Sequence, residues 1–263
     1  MIGNAGEEVL SFENLWMNYG AKQVLKGIDL SVSRGQIIGY IGPNGAGKST
    51  TIKILLGLEE GYSGDVRIFG EKIGAGQIEY KRRIGYVPEI AELYDNLTAR
   101  EYLTFIGELY GMAFGKTDEK ARRLMEKFGL GDVYDSRISS FSKGMKQKVL
   151  IISSLLHNPD LLFLDEPLSG LDANSVMVFK EILALLSAEG KTIFYSSHIM
   201  DVVEKISNRI VLLKDGQIIA DGSFDDLKEQ NKEGSLEHIF NQLTGFDAYR
   251  GIAEDFVSIV KGA

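Results

Sequence analysis

One short stretch, GPNGAGKST at positions 42–50, constrains the fold of this chain more than any other feature. It follows the apolar run QIIGYI and leads into KSTTIKILLGL, whose apolar spacing is helical, so it joins a buried strand to a helix. Its small residues allow successive backbone N–H groups to curl around a phosphate, Lys48 adds a charge between the β- and γ-phosphates, and the Ser49 hydroxyl can ligate Mg²⁺. A glycine-rich turn in front of a helix would not require Lys48 and Ser49. The stretch therefore predicts a nucleoside triphosphate site.

The remainder of the chain alternates between strand and helix patterns. After position 142 a helical run leads to the strands LLFLD, TIFYSS, RIVLLKDG and QIIADG, with helical runs between the first three. Such alternation, with nearly continuous apolar strands, predicts an α/β fold with a mostly parallel sheet covered on both faces. The earlier runs VLSFENL and VLKGIDLSVS predict a smaller antiparallel layer, residues 97–112 and 117–130 predict helices, and the tail from Ser223 predicts two or three amphipathic helices.

Composition and charge exclude several classes of protein. The 263 residues are 44% apolar and 25% charged, the composition of an ordinary globular protein. The formal charge of −8 argues against binding nucleic acid through its phosphates, and the absence of cysteine excludes disulfides and thiolate metal sites. The run MIGNAGEEVLSFE lacks the pattern of a signal peptide, and no apolar run approaches the length of a membrane span. We therefore expect a chain that does not cross a membrane by itself.

Two adjacent acids follow the apolar run of LLFLDEP. A buried strand of this kind delivers Asp165 and Glu166 to the carboxyl edge of the sheet, where open α/β sheets bind ligands. There Asp165 suits Mg²⁺, and Glu166 can polarise the water that attacks a γ-phosphate. The alternative is that both acids cap the next turn and face solvent. His198 ends a second strand at the same edge, and it either contacts the γ-phosphate as a neutral hydrogen-bonding group or is structural. His157 and His238 lack such a context and are expected on the surface or in packing.

A second segment with phosphate-binding character, FSKGM, begins a helix in the middle of the chain. Ser142 can cap that helix, Gly144 leaves room for a group to approach backbone N–H groups, and Lys143 is a nearby cation. The simplest alternative is that Ser142 is an ordinary helix cap. The sequence thus raises the question of why one chain would need two phosphate-binding segments.

The ordered set GPNGAGKST, FSKGM, LLFLDEP, SGLD and SSH resembles the ATP-binding cassette (ABC) ATPases over residues 9–222. The resemblance implies a P-loop nucleoside triphosphatase core of the α/β class, an antiparallel β-subdomain, and a helical subdomain at about 90–157 that carries FSKGM. It divides the chain into an ABC ATPase domain at 1–222 and a C-terminal helical extension at 223–263. It also implies a head-to-tail pair, homodimer or heterodimer, in which FSKGM of one chain closes over the ATP held by the other. Two phosphate-binding segments in one chain are then expected.

The resemblance assigns a role to each matching residue, with ATP as the nucleotide and Mg²⁺ as the metal. The candidate catalytic residues are Glu166, His198 and Glu89. The candidate metal ligands are Ser49, Glu89 and Asp165. The residues assigned to the nucleotide are Tyr19, Gly42, Pro43, Asn44, Gly45, Ala46, Gly47, Lys48, Ser49, Thr50, Thr51 and Asp172, together with Ser142 and Gly144 acting on the partner's ATP.

Two of these assignments, Tyr19 and Asp172, concern groups other than the phosphates. Tyr19 would stack on adenine; its alternative role is that of a rim aromatic of the sheet, and Trp16 is the rival stacker. Asp172 would contact the opposite cassette and couple the two sites.

This chain departs from the family pattern at two positions. The usual signature LSGGQ is FSKGM here, which keeps Ser142 and Gly144 but replaces the glutamine with Met145. In GYVPE, Glu89 stands where the family has a glutamine, and a carboxylate keeps the reach to Mg²⁺ or the attacking water while adding a charge. Both variants resemble a branch of cassettes that pair with separate membrane subunits, often exporters.

The resemblance implies a protein that binds and hydrolyses ATP as a peripheral subunit on the cytoplasmic face of the cell membrane. It would drive separate transmembrane permease subunits, with export favoured over import and no nucleic acid partner. The stretch 90–112, rich in Tyr and Leu, would receive a short helix of the membrane subunit or form the core of the helical subdomain. The alternative is an ABC-type ATPase acting on ribosomes or DNA, which generally needs a coiled-coil insertion, two cassettes or a basic face. A metabolic P-loop kinase would have no use for FSKGM.

Overall fold

The computed structural model describes residues 6–74, 76–232, 234–246 and 249–261, with the backbone alone for 249 and 250. Within these residues the chain forms ten strands and nine α-helices. The strands are β1 (Glu8–Tyr19), β2 (Lys22–Ser33), β3 (Ile37–Ile41), β4 (Ser63–Ile68), β5 (Glu71–Lys72), β6 (Ile84–Val87), β7 (Leu161–Asp165), β8 (Thr192–Ser196), β9 (Arg209–Lys214) and β10 (Gln217–Gly222). The helices are α1 (Lys48–Leu55), α2 (Ala99–Leu109), α3 (Phe114–Lys127), α4 (Lys143–Leu155), α5 (Ala173–Ala188), α6 (Met200–Ile206), α7 (Phe224–Asn231), α8 (Leu236–Thr244) and α9 (Tyr249–Val260).

A six-stranded sheet forms the centre of the molecule, with the strand order β10-β9-β3-β8-β7-β6. Strands β9, β3, β8, β7 and β6 are parallel, and β10 returns antiparallel to β9 after a turn at Asp215 and Gly216. Every residue of β3, β7 and β8 is buried, because these strands are covered on both faces. The mostly parallel sheet expected from the sequence is therefore confirmed.

A four-stranded antiparallel sheet, β2-β1-β4-β5, packs over one face of the central sheet together with α1. The core between them includes Phe12 and Leu30 of the antiparallel layer, Tyr40 and Phe194 of the central sheet, and Ile52 of α1. The smaller antiparallel layer is thus also confirmed. Strand β5 was missed, because a strand of two residues has no detectable periodicity.

Helices α2, α3 and α4 lie between β6 and β7 in the chain. Helix α2 begins with a capping box, in which the Thr98 hydroxyl accepts a hydrogen bond from the Glu101 N–H and the Glu101 carboxylate accepts one from the Thr98 N–H. Leu103, Met125 and Ile152, one from each helix, are buried in a single cluster that continues onto the other face of the central sheet. This packing fixes the start of α4, where FSKGM lies, relative to the sheet.

Three helices follow the last strand, as the amphipathic pattern of the tail predicted. Leu227 of α7 and Leu236 and Ile239 of α8 are buried, whereas Phe256 and Ile259 of α9 are 67% and 75% exposed. No helix in the described ranges is both long and apolar enough to cross a bilayer. The first five residues of the run examined for a signal peptide, and positions 233, 247, 248, 262 and 263 of the expected extension, lie outside the described residues.

Candidate nucleotide site

The carboxyl ends of neighbouring parallel strands meet at one edge of the central sheet. A cleft of about 620 Å³ opens between this edge and the antiparallel layer. It brings together the phosphate loop after β3, the two acids at the end of β7 and the histidine after β8. The residues lining it are Tyr19, Lys22, Val24, Asn44, Gly45, Gly47, Lys48, Ser49, Thr50, Glu89, Asp165, Glu166 and His198.

The phosphate loop needs glycine at two positions for steric reasons. Gly47 has φ +113°, a conformation that side chains rarely adopt, and a Cβ there would lie 2.6 Å from a methyl carbon of Leu25. A Cβ on Gly42 would lie 2.2 Å from the carbonyl oxygen of Leu213. The loop backbone therefore lies close against β2 and β9 at these two glycines. The first N–H groups of α1 have no acceptor within the helix, so they remain available to an anion in the cleft.

Lys48 lies in the cleft with its ammonium group on the carbonyl oxygens of the loop. It donates hydrogen bonds to Gly42 (2.6 Å) and Pro43 (3.3 Å). Burial lowers the pKa of Lys48, and the charges of the cleft's acids, Glu166 first among them, oppose that shift. Because its present acceptors are neutral carbonyls, exchanging them for charged phosphate oxygens would strengthen its hydrogen bonds.

Not every residue assigned to the loop faces the cleft. Thr51 is fully buried; its hydroxyl donates to the Gly47 carbonyl (3.0 Å) and lies 3.1 Å from the hydroxyl of Tyr40. The sequence assigned Thr51 to the phosphates together with the rest of the loop; its side chain cannot contact them, because its position on α1 turns it into the core. The other assigned loop residues outside the cleft lining are Gly42, Pro43 and Ala46.

Asp165 ends β7 and is almost fully buried. Burial raises the pKa of Asp165, the charges of Glu89 and Glu166 raise it further, and Lys48 opposes them. A divalent cation would supply the positive charge that this group of acids lacks. No three His, Cys, Asp or Glu side chains in the described part of the chain lie close enough to hold an ion by themselves. Mg²⁺ nonetheless fits Asp165 and Ser49, because it usually binds through one or two protein ligands together with water and phosphate oxygens.

Glu166 leaves β7 with φ +47°, a left-handed conformation that costs a non-glycine residue about 1–3 kcal/mol. Its Oε2 accepts a hydrogen bond from the Ser197 hydroxyl (2.9 Å), and its Oε1 accepts one from the His198 N–H (2.8 Å). His198 Nδ1 lies 2.7 Å from the same Oε1 and donates to it in the tautomer that carries the proton there. The Glu166 side chain is only 15% exposed. The alternative in which both acids cap a turn and face solvent was therefore wrong.

The three histidines have different surroundings. His198 lines the cleft with its side chain 77% exposed. His157 stacks on Tyr110 with ring centroids 3.6 Å apart, and its Nε2 lies 2.9 Å from the Ile84 carbonyl oxygen. His238 is exposed on α8. The expectation of a packing or surface role is confirmed for the last two, whereas a contact of His198 with the γ-phosphate stays a prediction.

Of the two aromatic candidates for adenine stacking, Tyr19 lies in the cleft and Trp16 does not. Tyr19 ends β1 and is 44% exposed. The indole N–H of Trp16 instead donates to the Asn14 side chain (2.7 Å). Lys22 and Val24 line the same wall as Tyr19, and the sequence did not identify them, because their position depends on how β2 pairs with β1.

The segment FSKGM begins α4, outside the cleft of its own chain. Ser142 is exposed and caps the helix by accepting a hydrogen bond from the Met145 N–H (3.2 Å), which leaves its hydroxyl proton for another acceptor. Beside Gly144, the space expected for an approaching group is partly occupied. A Cβ there would lie 2.5 Å from the carbonyl oxygen of Gly170, so glycine is also needed for packing within the chain.

The loop between β7 and α5 is tied to α4 at two more points, neither of which the sequence revealed. Buried Gln147 donates to the Pro167 carbonyl (2.9 Å), and Lys148 Nζ lies 3.2 Å from Asp172 Oδ2. Asp172 also caps α5 by accepting hydrogen bonds from the Ser175 N–H (2.9 Å) and hydroxyl (2.6 Å). The Ser175 hydroxyl, its N–H and Lys148 together hold the pKa of Asp172 well below its usual range. The contact of Asp172 with an opposite cassette stays a prediction.

A phosphate loop at the end of one buried strand, acids at the end of another and the open cleft between them define a P-loop nucleoside triphosphatase. The family described as ABC transporter matches residues 25–169 of this chain. The chain belongs to this family, as an ATP-binding subunit with ATPase activity.

Relatives that match most of the chain are named as ATP-binding proteins. The linearmycin resistance ATP-binding protein LnrL of Bacillus subtilis (strain 168) is 40% identical over 219 residues, which are 83% of this chain and 70% of the relative. The daunorubicin/doxorubicin resistance ATP-binding protein DrrA of Streptomyces peucetius is 36% identical over 210 residues, 80% of this chain and 64% of the relative. A solved structure of the ATP-binding subunit of an ABC transporter is 35% identical, with a TM-score of 0.84 over 90% of this chain and 99% of that one.

We expect Glu89→Gln to retain at least part of the ATPase activity. The Mg²⁺ concentration needed for half-maximal activity should rise. Glu89 lines the cleft, and its charge acts on both Lys48 and Asp165. Glutamine keeps an oxygen at the same reach without the charge. A unit charge and a divalent ion roughly 6 Å apart attract by about 1.4 kcal/mol in water-like surroundings, so the requirement should rise by up to about tenfold.

A Mg²⁺ titration at saturating ATP measures this effect. Glu92→Gln, on the exposed surface outside the cleft lining, is the matched control for loss of a carboxylate. An unchanged Mg²⁺ requirement in Glu89→Gln would show that Glu89 points away from the metal.

Proposed function

We propose that this ATPase works as a pair of cassettes, homodimer or heterodimer, that binds two MgATP head-to-tail and drives the separate transmembrane subunits of an exporter. The observation that carries the proposal is the position of FSKGM, which lies outside the cleft of its own chain with Ser142 exposed. A two-fold axis would place each such segment at the other chain's cleft and close the assembly. The pair would sit peripherally on the cytoplasmic face of the membrane.

In this complex the chain's own residues have separate roles in binding and hydrolysing ATP. Loop N–H groups and Lys48 hold the β- and γ-phosphates, and Ser49 and Asp165 hold Mg²⁺, which neutralises phosphate charge when bound. Glu166 accepts a hydrogen bond from the attacking water and takes up its proton. In the tautomer that carries the proton on Nε2, the His198 ring donates to the γ-phosphate, and the His198 backbone N–H still donates to Glu166.

Residues at the rim extend the site beyond the phosphates. Tyr19 stacks on the adenine, since it is half-exposed on the cleft wall. The Asp172 side chain is 59% exposed and contacts the opposite cassette. Its ion pair with Lys148 couples that contact to α4. The proposed division of the chain is an ATPase domain at 1–222 with a helical subdomain at about 90–157, and an extension at 223–263.

The helical part of the chain offers a surface for the membrane subunits. Ile90, Tyr94, Phe105 and Leu109 are exposed on or just before α2, and the rings of Tyr94 and Phe105 lie 6.3 Å apart. An apolar, aromatic surface of this kind suits a short partner helix.

The resistance names of the two relatives favour export. Co-purification of membrane subunits with the chain from detergent-solubilised membranes tests this part, and recovery with ribosomes or DNA would support the alternative function.

Mixing two inactive variants tests the head-to-tail arrangement. Lys48→Ala breaks the phosphate loop, and Ser142→Asp places a negative charge where the partner's γ-phosphate should lie. Aspartate caps a helix as well as serine does, so the fold of α4 should be preserved. Gly144 is unsuitable for this purpose, because a side chain there would collide with Gly170 of the same chain.

We expect each variant to be inactive alone and the mixture to recover ATP-dependent dimers and hydrolysis. Equal mixing yields about half mixed dimers, each with one doubly broken site and one intact site, so hydrolysis should reach up to about a quarter of the wild-type rate. Ser142→Asn keeps the cap without the charge and should be less impaired than Ser142→Asp. A mixture as inactive as its components, by both size-exclusion chromatography with ATP and phosphate release, would contradict the proposed pair.

A further inference from the structure

Ser197, a residue with no role assigned from the sequence, contacts the carboxylate of Glu166. The Ser197 hydroxyl lies 2.9 Å from Glu166 Oε2 and accepts a hydrogen bond from the Ile199 N–H (3.1 Å). Because that N–H occupies a lone pair, the single hydroxyl proton of Ser197 is left for Glu166. Ser197 is only 1% exposed, so bulk water does not compete for this proton.

The two oxygens of this carboxylate have different hydrogen-bond donors. His198 donates to Oε1. In the part of the chain that the structure describes, Ser197 is the only donor to Oε2. The terminal torsion of a glutamate side chain is soft, so donors on both oxygens are needed to fix the plane of the carboxylate. Without Ser197 the plane can rotate about the contact at Oε1.

The backbone of Glu166 depends on the same neighbouring segment. Its left-handed conformation persists only where surrounding contacts determine it. The Glu166 N–H donates to the Ser196 carbonyl (2.9 Å), one residue before Ser197. The end of β8 therefore anchors both the backbone and the carboxylate of Glu166.

We propose that Ser197 is a positioning residue for ATP hydrolysis, which orients the Glu166 carboxylate towards the attacking water and does not itself touch the nucleotide. This inference rests on the proposed role of Glu166 in polarising that water. Loss of the Ser197 hydroxyl should therefore slow turnover and leave nucleotide binding intact.

The test is Ser197→Ala, with kcat for ATP hydrolysis and Kd for ATP measured separately. We expect kcat to fall about tenfold, the effect of losing one hydrogen bond to a charged group, and Kd to stay within about twofold of the wild type. Ser197→Thr restores a hydroxyl and should recover most of the rate. Cysteine is close to serine in size but is a weak hydrogen-bond donor, so Ser197→Cys should be as slow as Ser197→Ala. If the alanine variant fails to bind ATP, the cysteine variant is used to test the inference instead.

Ser154→Ala is the matched control, because it removes a buried hydroxyl that donates to the Ile151 carbonyl (2.8 Å) within α4. It should change neither kcat nor Kd. Wild-type kcat in both Ser197→Ala and Ser197→Cys would overturn the inference.

Coupling to Glu166 separates positioning from a general structural effect. In a Glu166→Gln background, Ser197→Ala should cause no further fall in the residual rate, because the carboxylate it orients is already absent. An equal fall in both backgrounds would overturn the inference and leave the role of Glu166 intact. A Glu166→Gln protein that hydrolyses ATP at the wild-type rate would instead overturn the proposed function.

Discussion

Glu166→Gln is expected to bind ATP like the wild type and to hydrolyse it about a hundredfold more slowly, or worse. The amide matches the carboxylate in size; its oxygen can still accept from the His198 N–H, and its NH₂ group can donate to the Ser197 hydroxyl. The geometry of the cleft should therefore survive. What is lost is the negative, proton-accepting group beside the attacking water, so the change falls on turnover and not on binding.

Calorimetry gives the ATP affinity of Glu166→Gln, and phosphate release under single-turnover conditions gives the rate. Because hydrolysis releases the proposed pair, an ATP-held dimer should accumulate and appear by size-exclusion chromatography. Glu181→Gln, on an exposed position of α5, is the matched control and should behave as the wild type. Normal turnover in Glu166→Gln would remove the residue from the mechanism.

Lys48→Ala is expected to weaken ATP binding itself, by about tenfold to a hundredfold, which corresponds to one hydrogen bond between charged groups. Two effects act in the same direction. The β- and γ-phosphates lose a cation that binds them. The nearby carboxylates also lose the positive charge of Lys48, which offsets theirs; they are Glu89, Asp165 and Glu166. Their uncompensated charge then repels the triphosphate.

Thermal unfolding with and without MgATP measures this effect together with calorimetry, since a ligand raises the unfolding temperature only when it binds the folded chain. Lys53→Ala removes an exposed lysine from the same helix and is the matched control. If Lys48→Ala bound MgATP as tightly as Lys53→Ala, the assignment of the phosphate loop would have to be abandoned.

Features that depend on adjacent residues could be predicted from the sequence. The phosphate loop was recognisable because its steric and charge requirements, at Gly47 and Lys48, fall within a few positions of each other. The apolar run before Asp165 likewise predicted a buried strand that ends at the edge of the sheet. Ser142 could be identified as a helix cap for the same reason, because a cap and the N–H it satisfies are three residues apart.

Features that depend on the direction of a side chain were less predictable. Thr51 continues the phosphate loop in the sequence, yet one turn of α1 carries it into the core beneath Tyr40. Tyr19 and Trp16 lie three positions apart on β1, and only the pairing of β1 with its neighbours determines which one borders the cleft.

The class of fold, the phosphate loop and the acids at the end of β7 could all be predicted before folding is considered, because they follow from local sterics, charge and hydrophobic period. The groups that act on those residues are brought to them by contacts between distant parts of the chain. Ser197 meets Glu166 across 31 positions, and Gln147 meets Pro167 across 20. Hydrophobic periodicity shows which face of an element is buried, but the distant segment that covers this face is chosen by strand order and packing across the whole chain.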